Sequence, residues 1–437
     1  MASGFLKTFV QTCNYLQEPR HVARFQRFCG VKGTFADKPQ GTRLTEQDLT
    51  GLRKKRVQSS DVTFGNGEAA SRQLNGTQGD PIAGPEGPST AANVHPDTVK
   101  TMPLRRNSLT GDVGQEFLIH NKFLFYLFTF GTELGNEMFF IIFFPFLFWN
   151  IDPLVSRRLI VVWAWNLFVG QSTKDMVRWS RPASPPVVKV EVFYNSEYSM
   201  PSTHAMTGTA IPFCLFMLTY GRWQYPFLFG LCVALSWSVL VCVSRVYMGM
   251  HSILEVITGF LYSLLVLAFF NPILDQIDTF YMTDHYAPLV IVISHVAFGL
   301  VAFSLDSWST SRGDTAQSLG TGAGAALATY VNYQLGILSD PPASSLPLTF
   351  PPLSVSLVAL SLLRFLLGVV VLLLTRTVMK AVTIPFLCGL FGLPADDVRR
   401  ARQHMKVELP YRYIVYSVVG FNCVSVVPLI FRVFHLI

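Results

Sequence analysis

The chain has 437 residues, of which 50% are hydrophobic and only 14% are charged. This balance is typical of a membrane protein and argues against an ordinary soluble enzyme of this length. The net charge of +7 suits an anionic membrane surface or an anionic substrate. No sustained basic face with interleaved aromatic residues is present in the sequence, so we expect no nucleic-acid partner. Protein partners stay unknown.

Residues 1–115 are rich in small and polar residues and lack a sustained hydrophobic period. This composition predicts a mostly disordered tail. Scattered aromatic and arginine side chains between Phe5 and Phe28 allow either an interfacial helix or a solvated, transient one. Arg105, Arg106 and Ser108 form a basophilic kinase pattern, which also arises by chance in such tails.

Apolar segments long enough to cross a bilayer recur from Phe123 to the C-terminus, and their lengths predict about nine transmembrane helices. The predicted spans are residues 123–149, 159–173, 205–220, 226–243, 253–270, 288–303, 319–338, 355–374 and 413–434. Residues 382–393 are too short to span and are a candidate re-entrant segment. We therefore predict an all-α polytopic membrane protein with a tail, a helical core over residues 116–275 and a C-terminal transmembrane bundle over residues 276–437.

Arg364 falls near the middle of the eighth predicted span, where a charge needs a partner. We expect it to pair either with a carboxylate such as Asp306 or with the C-terminal side of the bundle, with substrate contact as the alternative. Gly and Ala residues between Gly320 and Ala328 predict close helix packing.

Three clusters of phosphate-handling residues lie within the helical core. The first contains Lys174 and Arg181, which are seven residues apart in the sequence. In a helix this spacing is about two turns, so both cations project from one face and can hold two sides of a phosphate. Pro182 ends the predicted helix. A basic pair at a membrane edge is also a common headgroup anchor.

The second cluster, Pro201 to His204, opens the third predicted span. Ser202 is a favourable N-cap, and the unpaired N–H groups of a helix start form an anion site together with the helix dipole. Thr203 and His204 then lie in the first turn, beside a bound phosphate. A lone histidine at such a position is more often structural.

The third cluster follows the fourth predicted span and contains Arg245, His251 and Glu255. His251 and Glu255 are four residues apart, which puts them on one helical face. The carboxylate can accept the Nδ1 proton and leave Nε2 as a nucleophile or base. Because two predicted spans separate the second and third clusters, and none separates the first and second, all three should lie at one membrane face.

The three-part pattern Lys-x6-Arg-Pro, Pro-Ser-x-His and Ser-Arg-x5-His resembles the signature of the type-2 phosphatidic acid phosphatase, or lipid phosphate phosphatase, superfamily. Residues 179–209, 308–315 and 402–412 are similar to the sphingosine 1-phosphate phosphatase family. Two positions depart from the superfamily pattern: Thr203 replaces Gly, and Glu255 replaces Asp. The longer acid changes the distance to the histidine.

The resemblance implies a phosphatase core and a phosphohistidine mechanism. His251 would attack the phosphorus, Glu255 would orient it, and His204 would act as general acid and then as general base. The side chains that would hold the phosphate are Lys174, Arg181, Ser202, Thr203 and Arg245. No metal and no cofactor are expected.

The implied reaction converts sphingosine 1-phosphate, or a related long-chain base 1-phosphate, to the long-chain base and phosphate. Another lipid or sugar phosphatase or phosphotransferase of the superfamily is an alternative, as is a weakly catalytic membrane scaffold. The resemblance implies a multi-pass protein of the endoplasmic reticulum membrane with a lumenal site. Basic residues near the spans favour the cytosolic face instead.

Overall fold

The computed structural model describes residues 2–34, 116–191, 197–306, 311–338, 340–394 and 404–436. These residues are mostly helical, which confirms the predicted all-α class. The helices are α1 Ala2–Gln17, α2 Pro19–Phe28, α3 Lys122–Glu133, α4 Glu137–Asn150, α5 Pro153–Val177, α6 Thr203–Thr219, α7 Phe227–Tyr247, α8 Ile253–Phe270, α9 Leu274–Thr283, α10 Ala287–Leu305, α11 Ser311–Gln334, α12 Val355–Phe391, α13 Met405–Val424 and α14 Val426–Val433. Two short antiparallel strands, β1 Val31–Gly33 and β2 Phe117–Ile119, pair with Lys32 opposite Leu118.

Five helical runs among the described residues are long and apolar enough to cross a membrane, and the bent pair α3–α4 makes a sixth if it counts as one span. They are Phe227–Tyr247, Ile253–Thr283, Ala287–Leu305, Val355–Phe391 and Met405–Val433. The predicted count of nine is therefore not confirmed. The other predicted spans lie on α5, α6 and α11, whose residues are largely buried by neighbouring helices. A helix enclosed in this way tolerates polar side chains that lipid contact would not.

The last part of the C-terminal bundle differs from its prediction. Residues 382–393 are not a re-entrant segment, because α12 continues unbroken for 37 residues and ends at Gly392 in a left-handed conformation. Arg364 donates from Nε to the carbonyl of Leu436 at 2.6 Å. Its partner is thus on the C-terminal side of the bundle, whereas Asp306 lies 3.8 Å from Arg178.

The main core lies where α4, α5 and α6 meet the C-terminal helices, and Phe140, Trp163 and Ile211 are buried there. α11 and α13 pack closely at Gly320. A Cβ on Gly320 would lie 2.6 Å from the carbonyl oxygen of Tyr413, so a larger residue would push the helices apart. The predicted packing role of the glycines is confirmed at this position.

The beginning of the predicted disordered tail is folded. Residues 2–34 form α1, α2 and β1, and Gln26 of α2 is buried. Its Nε2 donates to the carbonyls of Val188 at 2.7 Å and Tyr247 at 2.9 Å, and its Oε1 accepts from the Val188 N–H at 2.9 Å. Sequence reasoning missed this attachment, because one glutamine in a polar segment gives no periodic signal. The rest of the tail, with Ser108, lies outside the described residues.

Candidate active site

Lys174 and Arg181 meet at one carboxylate. The prediction that they share a helix face is wrong, because α5 ends at Val177 and Arg178 adopts a left-handed conformation with φ 56°. Lys174 Nζ donates to Oε1 of Glu197 at 2.5 Å, and Arg181 Nη2 donates to Oε2 at 2.9 Å. A loop carboxylate, and not a common helix, brings the two cations together.

Glu197 is a site residue that sequence reasoning missed. Burial by itself opposes ionisation, but the charges of Lys174 and Arg181 outweigh it and hold the pKa of Glu197 below its ordinary value. The residue is therefore an anion at neutral pH. Its only signal in the sequence is its place just before Pro201-Ser202, since the partner of a loop carboxylate depends on the tertiary fold.

The start of α6 has the predicted geometry. Ser202 is the N-cap, and its Oγ accepts from the Ala205 N–H at 3.4 Å. The hydroxyl of Thr203 accepts from Lys174 Nζ at 2.9 Å, which joins the first cluster to the second. His204 is the second residue of the helix. The start of this helix lies beside the two cations, and the positive end of its dipole favours an anion.

His251 lies before α8, so it does not share a helical face with Glu255. The two side chains are close, as predicted, but the predicted reason is wrong. Ser252 caps the helix, and a capping box with Glu255 turns the carboxylate back towards His251. Nδ1 of His251 lies 3.3 Å from Oε2 of Glu255. Ser199, which sequence reasoning also missed, donates to the same oxygen at 2.5 Å and lies 3.2 Å from Nδ1.

These contacts define the state of the His251 ring. Because Nδ1 faces Glu255, it carries the proton, and the lone pair of Nε2 is directed towards Arg181 Nη1 at 3.4 Å. Burial, followed by the positive charges of Arg181 and Arg245, holds the pKa of His251 well below its ordinary value. The imidazole is therefore neutral at pH 7, with Nε2 available for nucleophilic attack.

Arg245 lies in the last turn of α7 and is completely buried. Its Nη1 donates to Glu191 at 2.8 Å. Within the described part of the chain, its Nε and Nη2 have no hydrogen-bond partner. Buried polar atoms are normally satisfied, and a guanidinium presents its donors in a fork that matches phosphate oxygens. Arg245 is thus equipped to bind an oxyanion.

The turn that carries His251 requires glycine at one position. Gly249 has φ +71°, and a Cβ there would collide with the carbonyl oxygen of Val188. Val188 is also the residue that Gln26 holds from α2. The N-terminal segment, the loop after Arg181 and the histidine turn therefore support one another.

The structure brings the three predicted clusters together. Lys174 contacts Thr203, Arg181 contacts His251, and the Ser202 N–H donates to the carbonyl of Glu255 at 3.2 Å. The charges of Lys174, Arg181 and Arg245 all act on His204. No group of three or more His, Cys, Asp or Glu side chains that could hold a metal ion occurs in the described ranges.

Comparison with known proteins gives consistent matches. A family profile described as the PAP2 superfamily matches residues 156–277, a range that includes all eight candidate residues. The chain is 51% identical over 424 residues to sphingosine-1-phosphate phosphatase 1 of Rattus norvegicus, with 95% of this chain and 96% of the relative covered.

More distant relatives have related names. The chain is 36% identical over 422 residues to sphingosine-1-phosphate phosphatase 2 of Homo sapiens, covering 95% of this chain and 97% of the relative. It is 30% identical over 146 residues to a probable sphingosine-1-phosphate phosphatase of Dictyostelium discoideum, covering 32% and 36%. No solved structure matches the chain.

Proposed function

The chain belongs to the sphingosine-1-phosphate phosphatase family, and we propose that it hydrolyses sphingosine 1-phosphate and related long-chain base 1-phosphates to the long-chain base and phosphate. The neutral ring of His251, with Nε2 directed at buried cations, supports this proposal most strongly. The chain is a multi-pass membrane protein, so a lipid substrate can keep its hydrocarbon tail among apolar helices while its phosphate enters the site.

In the first step Nε2 of His251 attacks the phosphorus, and the bond between phosphorus and the substrate ester oxygen breaks. The Nδ1 proton stays between Glu255 and Ser199, which stabilise the positive ring that forms. His204 gives a proton to the leaving oxygen. Burial, followed by the charges of Arg245 and Lys174, holds the pKa of His204 well below its ordinary value. The negative charge of the bound phosphate raises that pKa again, which favours a protonated His204 in the complex with substrate.

In the second step His204, now neutral, removes a proton from water, and the water oxygen attacks the phosphorus. The bond between Nε2 and phosphorus breaks, the lone pair returns to Nε2, and inorganic phosphate leaves. Glu255, where the superfamily pattern has Asp, is compatible with these two reaction steps. Its carboxylate reaches Nδ1 at 3.3 Å and shares the proton with the Ser199 hydroxyl.

The phosphate oxygens are held by cations and by the start of α6. Arg245 supplies Nε and Nη2, which have no hydrogen-bond partner among the described residues. Lys174 and Arg181 exchange part of their contact with Glu197 for contact with phosphate, while Ser202 and Thr203 supply polar groups at the helix N-terminus. These positive groups provide the electrostatic stabilisation that a metal ion gives in other phosphatases, so the reaction is metal-independent.

We further propose that the protein resides in the endoplasmic reticulum membrane with its site on the lumenal face. The resemblance of the three motifs to the superfamily supports this placement. Because Gln26 contacts Val188 and Tyr247, the N-terminal segment lies on the same face as the site. A glycosylation acceptor added before Ala2 therefore reports the sidedness, and an unmodified acceptor in active protein would contradict a lumenal site.

Phosphate release from sphingosine 1-phosphate in detergent micelles with excess EDTA tests the activity. The unaltered chain should release phosphate, and His251→Ala should lower the rate by about three orders of magnitude or more. His285→Ala is the matched control, because His285 is exposed and outside the motifs. Activity that EDTA abolishes, or that survives in His251→Ala, would overturn the mechanism. If the unaltered chain releases phosphate from phosphatidate but not from sphingosine 1-phosphate, its substrate is a different lipid.

A further inference from the structure

A cavity of about 270 Å³ adjoins the proposed catalytic residues. Glu197, Thr203 and His204 border its phosphate end, whereas His251 is not among the residues that line it. Nucleophile and leaving group lie on opposite sides of the phosphorus in phosphoryl transfer. With His251 as nucleophile, the leaving alcohol therefore points past His204 into this cavity.

Two further carboxylates line the cavity. Glu137 begins α4 and Asp314 lies in the first turn of α11. Glu137 accepts from Gln317 Nε2 at 2.9 Å and takes part in no ion pair among the described residues. Asp314 is 3.4 Å from Arg412. The charges of Asp314 and Arg412 both act on Glu137, with opposite sign. Carboxylates without full compensation inside a membrane protein commonly mark a site for a cation.

The cations of the cavity lie on the opposite wall, which α12 and α13 form, and each of them has at least one neighbour there. Arg412 is held by Glu408 at 2.9 Å and by Asp314, and Arg376 lies 5.9 Å from the ring centre of Tyr416. Lys380, the third basic residue, also has a partner. The Nε atoms of Arg376 and Arg412 have no hydrogen-bond partner in the described part of the chain, so this wall keeps donors for an acceptor. Glu137, which takes part in no ion pair among the described residues, is the carboxylate with capacity left for a cation.

Unpartnered polar atoms on α5 are independent evidence for a ligand in this cavity. Gln171 is 3% exposed and Trp163 is 2% exposed, and both line the cavity. Neither the Gln171 Oε1 acceptor nor the Trp163 Nε1 donor has a hydrogen-bond partner in the described part of the chain. Such atoms are uncommon in buried positions, and together they suit a ligand with both donor and acceptor groups.

We propose that this cavity binds the ammonium-bearing head of the leaving amino alcohol, and that Glu137 and Asp314 select phosphate monoesters with an ammonium group next to the ester carbon. This inference rests on the proposed function and names its specificity residues. A long-chain base 1-phosphate carries an ammonium on the adjacent carbon and a hydroxyl one carbon further. The ammonium pairs with the carboxylates and Gln171 Oε1, and the hydroxyl accepts from Trp163 Nε1.

The test compares phosphate release from sphingosine 1-phosphate and from a long-chain alkyl phosphate of equal length that lacks the amine. Glu137→Gln keeps the shape of the side chain and an acceptor for Gln317. It should lower the ratio of kcat/KM for the two substrates roughly tenfold, mainly through KM for the amine substrate. Glu137→Asp, which keeps the charge, should retain a larger share of the preference.

Glu133→Gln is the matched control, because Glu133 is exposed and contacts Asn136 at 3.2 Å. It should leave the ratio unchanged. If the ratio for Glu137→Gln stays at the value of the unaltered chain, the inference is overturned. An equal fall in both kcat/KM values would in that case show that the residue is structural. If the unaltered chain cleaves neither substrate, the proposed function itself has failed, a result distinct from an unchanged ratio.

Discussion

Buried arginines lie near both ends of α5, and they are satisfied to different degrees. Near its start, Arg157 uses all three guanidinium nitrogens on Asp278 and Asp340, at 2.6 to 2.9 Å. At the other end, near His204 and Lys174, Arg245 of α7 donates once, to Glu191, and two of its nitrogens have no partner among the described residues. The two arginines are alike in burial and charge, but they differ in how many of their hydrogen-bond donors already have a partner.

This difference separates a structural ion pair from a binding site. A buried charge is costly unless partners compensate it, so a fully paired arginine holds its helices together and has little left to offer a ligand. An arginine with spare donors keeps part of that cost in the empty protein and recovers it when an oxyanion binds. The capacity for phosphate therefore lies at the Arg245 end of α5.

The same substitution at both arginines should separate catalysis from stability. Arg245→Met removes the donors proposed for the phosphate, and kcat/KM for sphingosine 1-phosphate should fall by about 10³-fold. Its melting temperature in detergent should change less than that of Arg157→Met, because one partner, Glu191, loses a bond. Normal activity in folded Arg245→Met would remove Arg245 from the site.

Arg157→Met should have the opposite profile. It leaves Asp278 and Asp340 without their common partner, which should lower the free energy of unfolding by about 3–5 kcal/mol. Thermal unfolding in detergent measures this loss. Activity per folded molecule, measured below the transition, should match that of the unaltered chain. A clear loss of activity per folded molecule would show that this end of α5 also serves the reaction.

The attachment of α2 is specific to the catalytic end. Gln26→Ala leaves the two carbonyls and the N–H that it binds without their partner, so it should destabilise the protein by about 2 kcal/mol and loosen the turn that carries His251. We expect a fall in kcat together with a lower melting temperature. Arg24→Ala, an exposed position on the same helix, is the control. Equal effects of the two variants would mean that α2 contributes only general stability.

Burial, together with the cations of the catalytic end, should also shift the titration of His251. Because its pKa is lowered, the neutral, nucleophilic form should persist as the pH falls through about 6.5 and should be lost only well below that value. Exchange of the imidazole C2 hydrogen, followed by mass spectrometry, measures this titration directly. The unfolded chain is the reference, and a midpoint in the folded protein at or above that of the unfolded chain would contradict a buried neutral ring.

Local patterns in the sequence predicted a large part of this site. Ser202 caps its helix as its residue type and position indicate, and Glu255 reaches His251 as predicted, although through a capping box and not through a shared helical face. Both features depend on residues close in the chain. The reason given for the pair at Lys174 and Arg181 was wrong, because spacing assumes a continuous helix and α5 ends between them. The pair forms through Glu197 instead.

By itself, the sequence determined the helical class and the multi-pass character, because apolar length acts locally, and its three motifs named the eight candidate residues. Only the tertiary structure brought Glu197 and Ser199 to the candidate site and Gln26 to the turn that supports it. Contacts between distant segments depend on which faces the packed helices bury, and no local pattern encodes that choice.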